Sequence, residues 1–390
     1  MNIESTSLKV LRLGKLPRVP ELDALRGLFL VWMTLTHLPT RLSNLVNQPF
    51  GFVSSAEGFV FLSALLVARL SIHMAEDDHG ALHTKLWKRA LRIYAYHLIL
   101  LAMAFTVAAA YAVTTHRVAI YNLLNFYLAH PFTAIVGSLL LIYCPPLLDI
   151  LPMYVIFLAL TPSILTVAVR KGWNVILLAS GLIWLLAQFG LRTWIHNLVV
   201  RLTGLHIPLQ ETGAFNLFAW QALWVLAMWL GAESAEGKNP MQRVPGFVTA
   251  ASAPVCLFFL GVRHAWLGPH LTPQALGLSL DKWQLGPLRM LNLFAFSFVV
   301  YWLRKYVTRA VMVEPFLTLG KASLEVFCAH LIFVFVGLAL LYGEVSELHG
   351  IYAWVLVAIT FAALITVALR EARRKRNQKR LAIKQYADAT

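Results

Sequence analysis

The sequence predicts an all-α, polytopic bundle of about ten transmembrane helices with both termini cytoplasmic. Three observations point there. Of the 390 residues, 59% are hydrophobic and only 13% charged, for a mean hydropathy of +0.69, far from the half-apolar average of soluble domains. Apolar runs close to the roughly 20 residues that a bilayer core requires recur along the chain. Lysine and arginine fall between those runs with a strong bias to one side.

The runs lie near 22–42, 53–73, 87–113, 149–169, 173–190, 216–235, 245–262, 287–304, 316–342 and 351–370. They leave a cytoplasmic N-terminal tail over 1–21, a transmembrane domain over 22–370 and a basic cytoplasmic tail over 371–390. Between the third and fourth runs, "RVAIYNLLNFYLAHPFTAIVGSLLLIYCPPLLD" is apolar but broken by Pro131, Gly137, Pro145 and Pro146. It reads as an interfacial or re-entrant segment.

With the N-terminus inside, the inner segments hold Lys9, Arg12, Lys15 and Arg18, then Arg69, Lys85, Lys88, Arg89 and Arg92. Further along come Arg170, Lys171, Lys238, Arg243, Arg304, Lys305, Arg309 and the tail "REARRKRNQKRLAIK". The outer loops hold only Arg41, Arg117, Arg192, Arg201, Arg263, Lys282 and Arg289. The net charge of +15 is therefore topological, and no nucleic-acid partner is expected. The tail reads as a solvated basic helix against anionic membrane lipid.

Cys144, Cys256 and Cys328 show no CxxC or Cys/His ligand spacing, so neither a disulfide nor a metal site is expected. About twenty mostly polar residues precede the first run and no small-residue cleavage site follows it, so that run is expected to stay as a helix.

Ionisable groups inside the spans carry the functional signal, because each costs several kcal/mol unless paired or solvated. The first span reads "ELDALRGLFLVWMTLTHLP". At 100° per residue, Asp23, Arg26, Thr34 and His37 fall within about 80° of one another, and the helical rise puts Arg26 and His37 roughly 16 Å apart. Asp23 and Arg26 fit a local i,i+3 pair at the inner interface or the inner end of a polar stripe. His37 ends that stripe, just before Pro39.

The second span returns from "GFVSSAEGFVFLSALLVARL". Its Glu57 enters at about the depth of His37, where a carboxylate can hold an imidazole tautomer. The same residue also suits a helix N-terminal cap with Ser54 or Ser55. The third span opens on "KLWKRALRIYAYH", where Lys85, Lys88, Arg89 and Arg92 recur at helical spacing. These bases suit the phosphates of a cytosolic nucleotide or coenzyme A donor as well as topogenic anchoring.

Later spans carry Asp149 and Tyr154, then Trp220 and Gln221, then Lys321, Ser323, Glu325 and His330. Glu325 and His330, five residues apart, face different sides of a helix; each fits helix–helix hydrogen bonding or cavity lining. The loop "LRTWIHNLVVRLTGLHIPLQETG" suits a sugar-like acceptor or an interfacial amphipathic helix.

An arginine followed after ten residues by a histidine, in a first helix opening "LDALRG", resembles the membrane acyltransferase superfamily that modifies extracytoplasmic glycans. "AEGFVFLSALL", "LPMYVIFLALTP", "FNLFAWQALWVLAMWLG" and "LGKASLEVFCAHL" are similar, in that order, to the blocks of the OpgC family. That family is linked to succinylation of osmoregulated periplasmic glucans. Ala64 departs from the glycine often found after "FLS", a change that bears on packing rather than chemistry.

The resemblance implies a membrane-bound O-acyltransferase of the bacterial inner membrane, with succinyl-CoA or acetyl-CoA as donor substrate and a periplasmic glucan as acceptor. In that reading His37 is the catalytic base, with Glu57 orienting it, or else carries the acyl group as a transient acyl-histidine. Arg26, Lys88, Arg89 and Arg92 hold the donor, and Asp23, Trp220, Gln221 and His330 contact substrate. A proton-coupled transporter or permease of a glycan or lipid-linked substrate is the alternative, since intramembrane acid–base groups also serve pumps. A permease would show matched inverted repeats, which the sequence lacks.

Overall fold

The computed structural model describes residues 19–268, 271–343 and 345–389. The expected basic segment with Lys9, Arg12, Lys15 and Arg18 lies outside the described residues. Among those described, the protein is all-α with no strand, apart from an isolated bridge between Thr40 and Leu348.

Helix α1 spans Pro20–His37. Pro20 sits at the first helical position, where its missing N–H costs nothing, and Glu21 and Asp23 in the first turn complement the helix dipole. The helix stops where Leu38 turns extended (φ −66°, ψ 132°), as the residue before Pro39 must.

Helix α2, Ser55–Arg69, opens with a capping box between Ser54 and Glu57. Helix α3, His79–Met103, is capped by the Asp78 side chain. It continues through a π-helical turn, Ala104–Ala108, into Ala109–Thr115, making a 37-residue rod. That rod starts earlier than the apolar run alone suggested, because the basic stretch before it is helical too. The Pro-broken segment that follows forms only short helices, Val118–Leu123, Asn125–Ala129 and Pro131–Leu139.

Helix α4 is Ile150–Lys171 and α5 is Trp173–Gln188. At Gly190 the chain bends by 82° into a helix over Leu191–Thr203 with no buried residue, so the polar stretch at 191–203 is an amphipathic helix. Then come α6, Leu217–Ala235, α7, Gly246–Arg263, and α8, Pro287–Trp302. The predicted run 316–342 is divided at Ala322 into α9, Phe316–Lys321, and α10, Ser323–Leu340. The last run and the basic tail form one helix, α11, Gly350–Ala389.

Each of the ten predicted runs therefore contains a helix. Among the described residues, six are long and apolar enough by length and composition to cross a membrane, or seven if the bent pair is one span. Helix α1 falls short through its three charges, Glu21, Asp23 and Arg26, while α2 and α8 are short at 15 and 16 residues. Several apolar helices make this a multi-pass membrane protein.

Helix α2 packs mainly on α6, α1 on α9, and α4 on α3. Two of these contacts require glycine. A Cβ on Gly27 would lie 1.9 Å from the Phe316 carbonyl oxygen, and one on Gly320 would lie 1.7 Å from that of Asp23. The backbones of α1 and α9 thus touch at "LRG" and "LGK", small residues allowing close approach. A Cβ on Gly231 of α6 would likewise lie 2.2 Å from the backbone carbonyl oxygen of Leu65 on α2.

Candidate active site

At the end of the bundle where α1 begins, a cavity of about 280 Å³ opens between α1, α2, α3, α4 and α10. Six bases line it, Arg26, Arg69, Arg89, Arg92, Lys321 and Lys375, against two acids, Asp23 and Glu325. The helical pattern explains the convergence. Arg89 and Arg92 are one turn apart on α3, so both face the same way. Arg26 reaches across to donate to the Ser323 hydroxyl and lies 5.8 Å from the Phe59 ring centroid.

The exposed side of the cavity is an ionic cluster. Arg92 contacts Glu325 at 2.5 Å and Glu371 of α11 at 4.0 Å. Glu371 is buried and also holds Arg374 at 2.9 Å and Lys375 at 3.3 Å. Lys375 donates to the backbone carbonyl of Lys321 at 3.2 Å. The basic tail thereby contributes a wall of the cavity. Lys88 does not: although it lies one turn from Arg92 on α3, it is exposed and absent from the lining. The structure therefore does not bring Lys88, expected beside Arg89 and Arg92, to the cavity.

Deeper in the bundle, Phe59 and Phe327 close the cavity with stacked rings 6.0 Å apart. Phe327 meets the His330 ring edge-on at 4.8 Å. His330 in turn meets His37 edge to edge, the rings nearly parallel (16°) with centroids 5.6 Å apart and His37 Nδ1 3.3 Å from His330 Nε2. His330 is fully buried, whereas His37 is partly exposed. One continuous path of side chains thus runs from the basic cavity, through an aromatic layer, to a histidine pair.

Glu57, expected to orient His37, is instead committed elsewhere. Its Oε2 accepts from the Ser54 backbone N–H at 3.0 Å and from the Ser54 hydroxyl. Its Oε1 accepts from Arg289, Nε at 2.7 Å and Nη2 at 2.5 Å. Both partners are almost wholly buried, at 1% and 2% exposure. His37 has His330 as its partner, so the second span supplies no orienting carboxylate. Arg289, counted by sequence with the outer-loop bases, is a buried charge in the first turn of α8. Its position in the first turn of an apolar run carried the same signal as Arg26.

Near this end of the bundle, Lys282 places its ammonium 4.6 Å from the Trp283 ring centroid. Burial pushes its pKa down, and the neighbouring Glu57 carboxylate partly offsets that shift.

The structure does not bring Trp220 and Gln221 to the cavity. The Trp220 indole donates to the Trp283 carbonyl at 3.1 Å. Gln221 donates to the Ser180 carbonyl at 2.8 Å and accepts from its hydroxyl at 2.7 Å, tying α6 to α5. Trp220 thus ties α6 to the turn before α8, and Gln221 makes helix–helix hydrogen bonds. His330 is likewise shielded by Phe327 and His37 rather than open to a ligand. Asp23 does line the cavity, while Tyr154 on α4, buried, completes its polar wall.

No curated protein and no solved structure matches the chain. A family model described as OpgC protein matches residues 18–376, a stretch that takes in the cavity, the aromatic layer and the histidine pair together. With nearly its whole length matched in this way, the chain belongs to the OpgC protein family.

Proposed function

We propose that this protein is an O-acyltransferase of the bacterial inner membrane, with about ten spans and cytoplasmic termini, that moves a succinyl or acetyl group from cytosolic acyl-CoA to a hydroxyl of a periplasmic glucan. One observation carries the reading: the basic cavity and the partly exposed His37 occupy the two ends of α1. Family membership supports it.

In this mechanism the phosphates of coenzyme A rest against Arg92, Lys321 and Lys375, since guanidinium and ammonium groups both suit phosphate. Arg26 and Arg89 flank the pantetheine arm. The Phe59 and Phe327 rings that close the cavity swing apart to let the arm bring the thioester to His37. There the acceptor hydroxyl oxygen attacks the thioester carbonyl while His37 takes its proton. Collapse of the tetrahedral intermediate breaks the C–S bond, and the thiolate of coenzyme A recovers that proton from the imidazolium. General-base assistance of this kind contributes about 10²–10⁴-fold, with positioning supplying much of the rest.

The test is transfer of label from succinyl-CoA and from acetyl-CoA to a periplasmic glucan fraction by the purified protein in detergent. Acylated glucan should form with the wild type and drop by at least about 10²-fold with His37→Ala. Undiminished transfer by the variant overturns the role of His37. Movement of glucan across proteoliposomes without acylation overturns the enzymatic reading.

A further inference from the structure

The histidine pair determines which nitrogen of His37 is free to work. His330 Nδ1 lies 2.5 Å from the backbone carbonyl oxygen of Phe327. A carbonyl only accepts, so that nitrogen carries the proton and donates. A neutral imidazole has a single N–H, which leaves His330 Nε2 as an acceptor. The atom facing it, 3.3 Å away, is His37 Nδ1, which must therefore be the donor. Opposite protonation would set the Nδ1 lone pair of His330 against the lone pairs of the Phe327 oxygen.

We propose that His330 is a positioning residue that holds His37 in the Nδ1–H tautomer, so that the His37 Nε2 lone pair is the base that takes the acceptor proton. The proposal rests on the general-base reading of His37 and gives His330 the task that Glu57, spent on Arg289 and Ser54, does not perform. The burial pattern agrees with it. His330 is fully enclosed and braced by Phe327, while His37 is partly open. A helix carbonyl in the place of a carboxylate supplies orientation without adding a buried charge, an arrangement in which the second partner fixes tautomer and ring direction.

The experiment uses the full chain in lipid nanodiscs with ¹⁵N-labelled histidine, the His37 signals being those lost in His37→Gln. In the wild type, His37 should be protonated on Nδ1 and bare on Nε2. His330→Leu, which removes the acceptor, should lower kcat by about 10²-fold with donor KM unchanged, and should release the His37 tautomer. His330→Gln keeps an acceptor near the Nε2 position and should stay within about tenfold of wild type.

A wild-type His37 protonated on Nε2 overturns the proposal even if His330→Leu fails to fold. So does a folded His330→Leu with wild-type kcat. Retained transfer by His37→Gln overturns the general-base reading instead, and the wild-type tautomer still decides whether the pair is arranged as proposed.

Discussion

Glu57 of α2 and Arg289 of α8 are joined at 2.5 Å in a site where neither side chain is more than 2% exposed. Removing one partner strands the other's charge in the protein interior. Arg289→Leu or Glu57→Leu alone should destabilise the fold by about 3–5 kcal/mol, whereas the double substitution should recover most of that loss. Thermal unfolding in detergent reads the difference. Equal loss in the double variant would contradict the pairing.

The glycine contact between α1 and α9 makes a second prediction. Gly27→Ala and Gly320→Ala each drive a methyl group into backbone at under 2 Å, so the helices must separate. A loss of about 1–3 kcal/mol or more is expected for each. Gly181 on α5 has nothing within 4 Å of an added Cβ; Gly181→Ala should be neutral or stabilising by up to about 1 kcal/mol. The contrast between these variants in a melting assay separates close packing from a general intolerance of alanine.

At the cavity entrance, Arg92 is held by Glu325 and Glu371, the same group that would meet a phosphate. Neutralising its partner should free it. Glu325→Gln is expected to tighten coenzyme A binding by about two- to fivefold at low salt, and Arg92→Ala to weaken it by at least that much, both effects shrinking as salt is raised. Calorimetric titration with coenzyme A checks the signs. Weaker binding by Glu325→Gln would place the carboxylate on the side of the ligand instead.

The Gln221–Ser180 pair distinguishes packing from recognition. Gln221→Leu removes two hydrogen bonds between α5 and α6 and should cost about 0.6–2 kcal/mol of stability. KM for donor and acceptor should be unchanged. A raised acceptor KM with an unaltered melting temperature would return Gln221 to substrate contact.

Much of this molecule is a matter of local pattern. Hydropathy and a 100° step per residue depend only on neighbours in the chain. For that reason the ten helical runs, the multi-pass class and the single-face line of Asp23, Arg26 and His37 could be read without coordinates. The convergence of Arg89 and Arg92 follows from their spacing too, whereas the absence of Lys88, equally one turn from Arg92, from the cavity wall does not. Helix ends were legible where chemistry is local, at Pro20, at Pro39 and at the Ser54–Glu57 cap. They were less so at Ala322 and Gly190, where a break or bend interrupts a continuous apolar pattern.

Partner choice across helices belongs to the tertiary structure. A polar residue in a span announces that it needs company without saying whose. His37 meets His330 across 293 residues, and Glu57 meets Arg289 across 232. Those pairings follow from which helix faces touch, and that is decided by contacts such as Gly27 and Gly320, where backbones approach closely enough to set depth and rotation. Local periodicity determined the chain's helices and the polar stripe on α1. Only packing of α1 against α9 and α10 decided that a histidine, rather than the nearby carboxylate, stands beside His37.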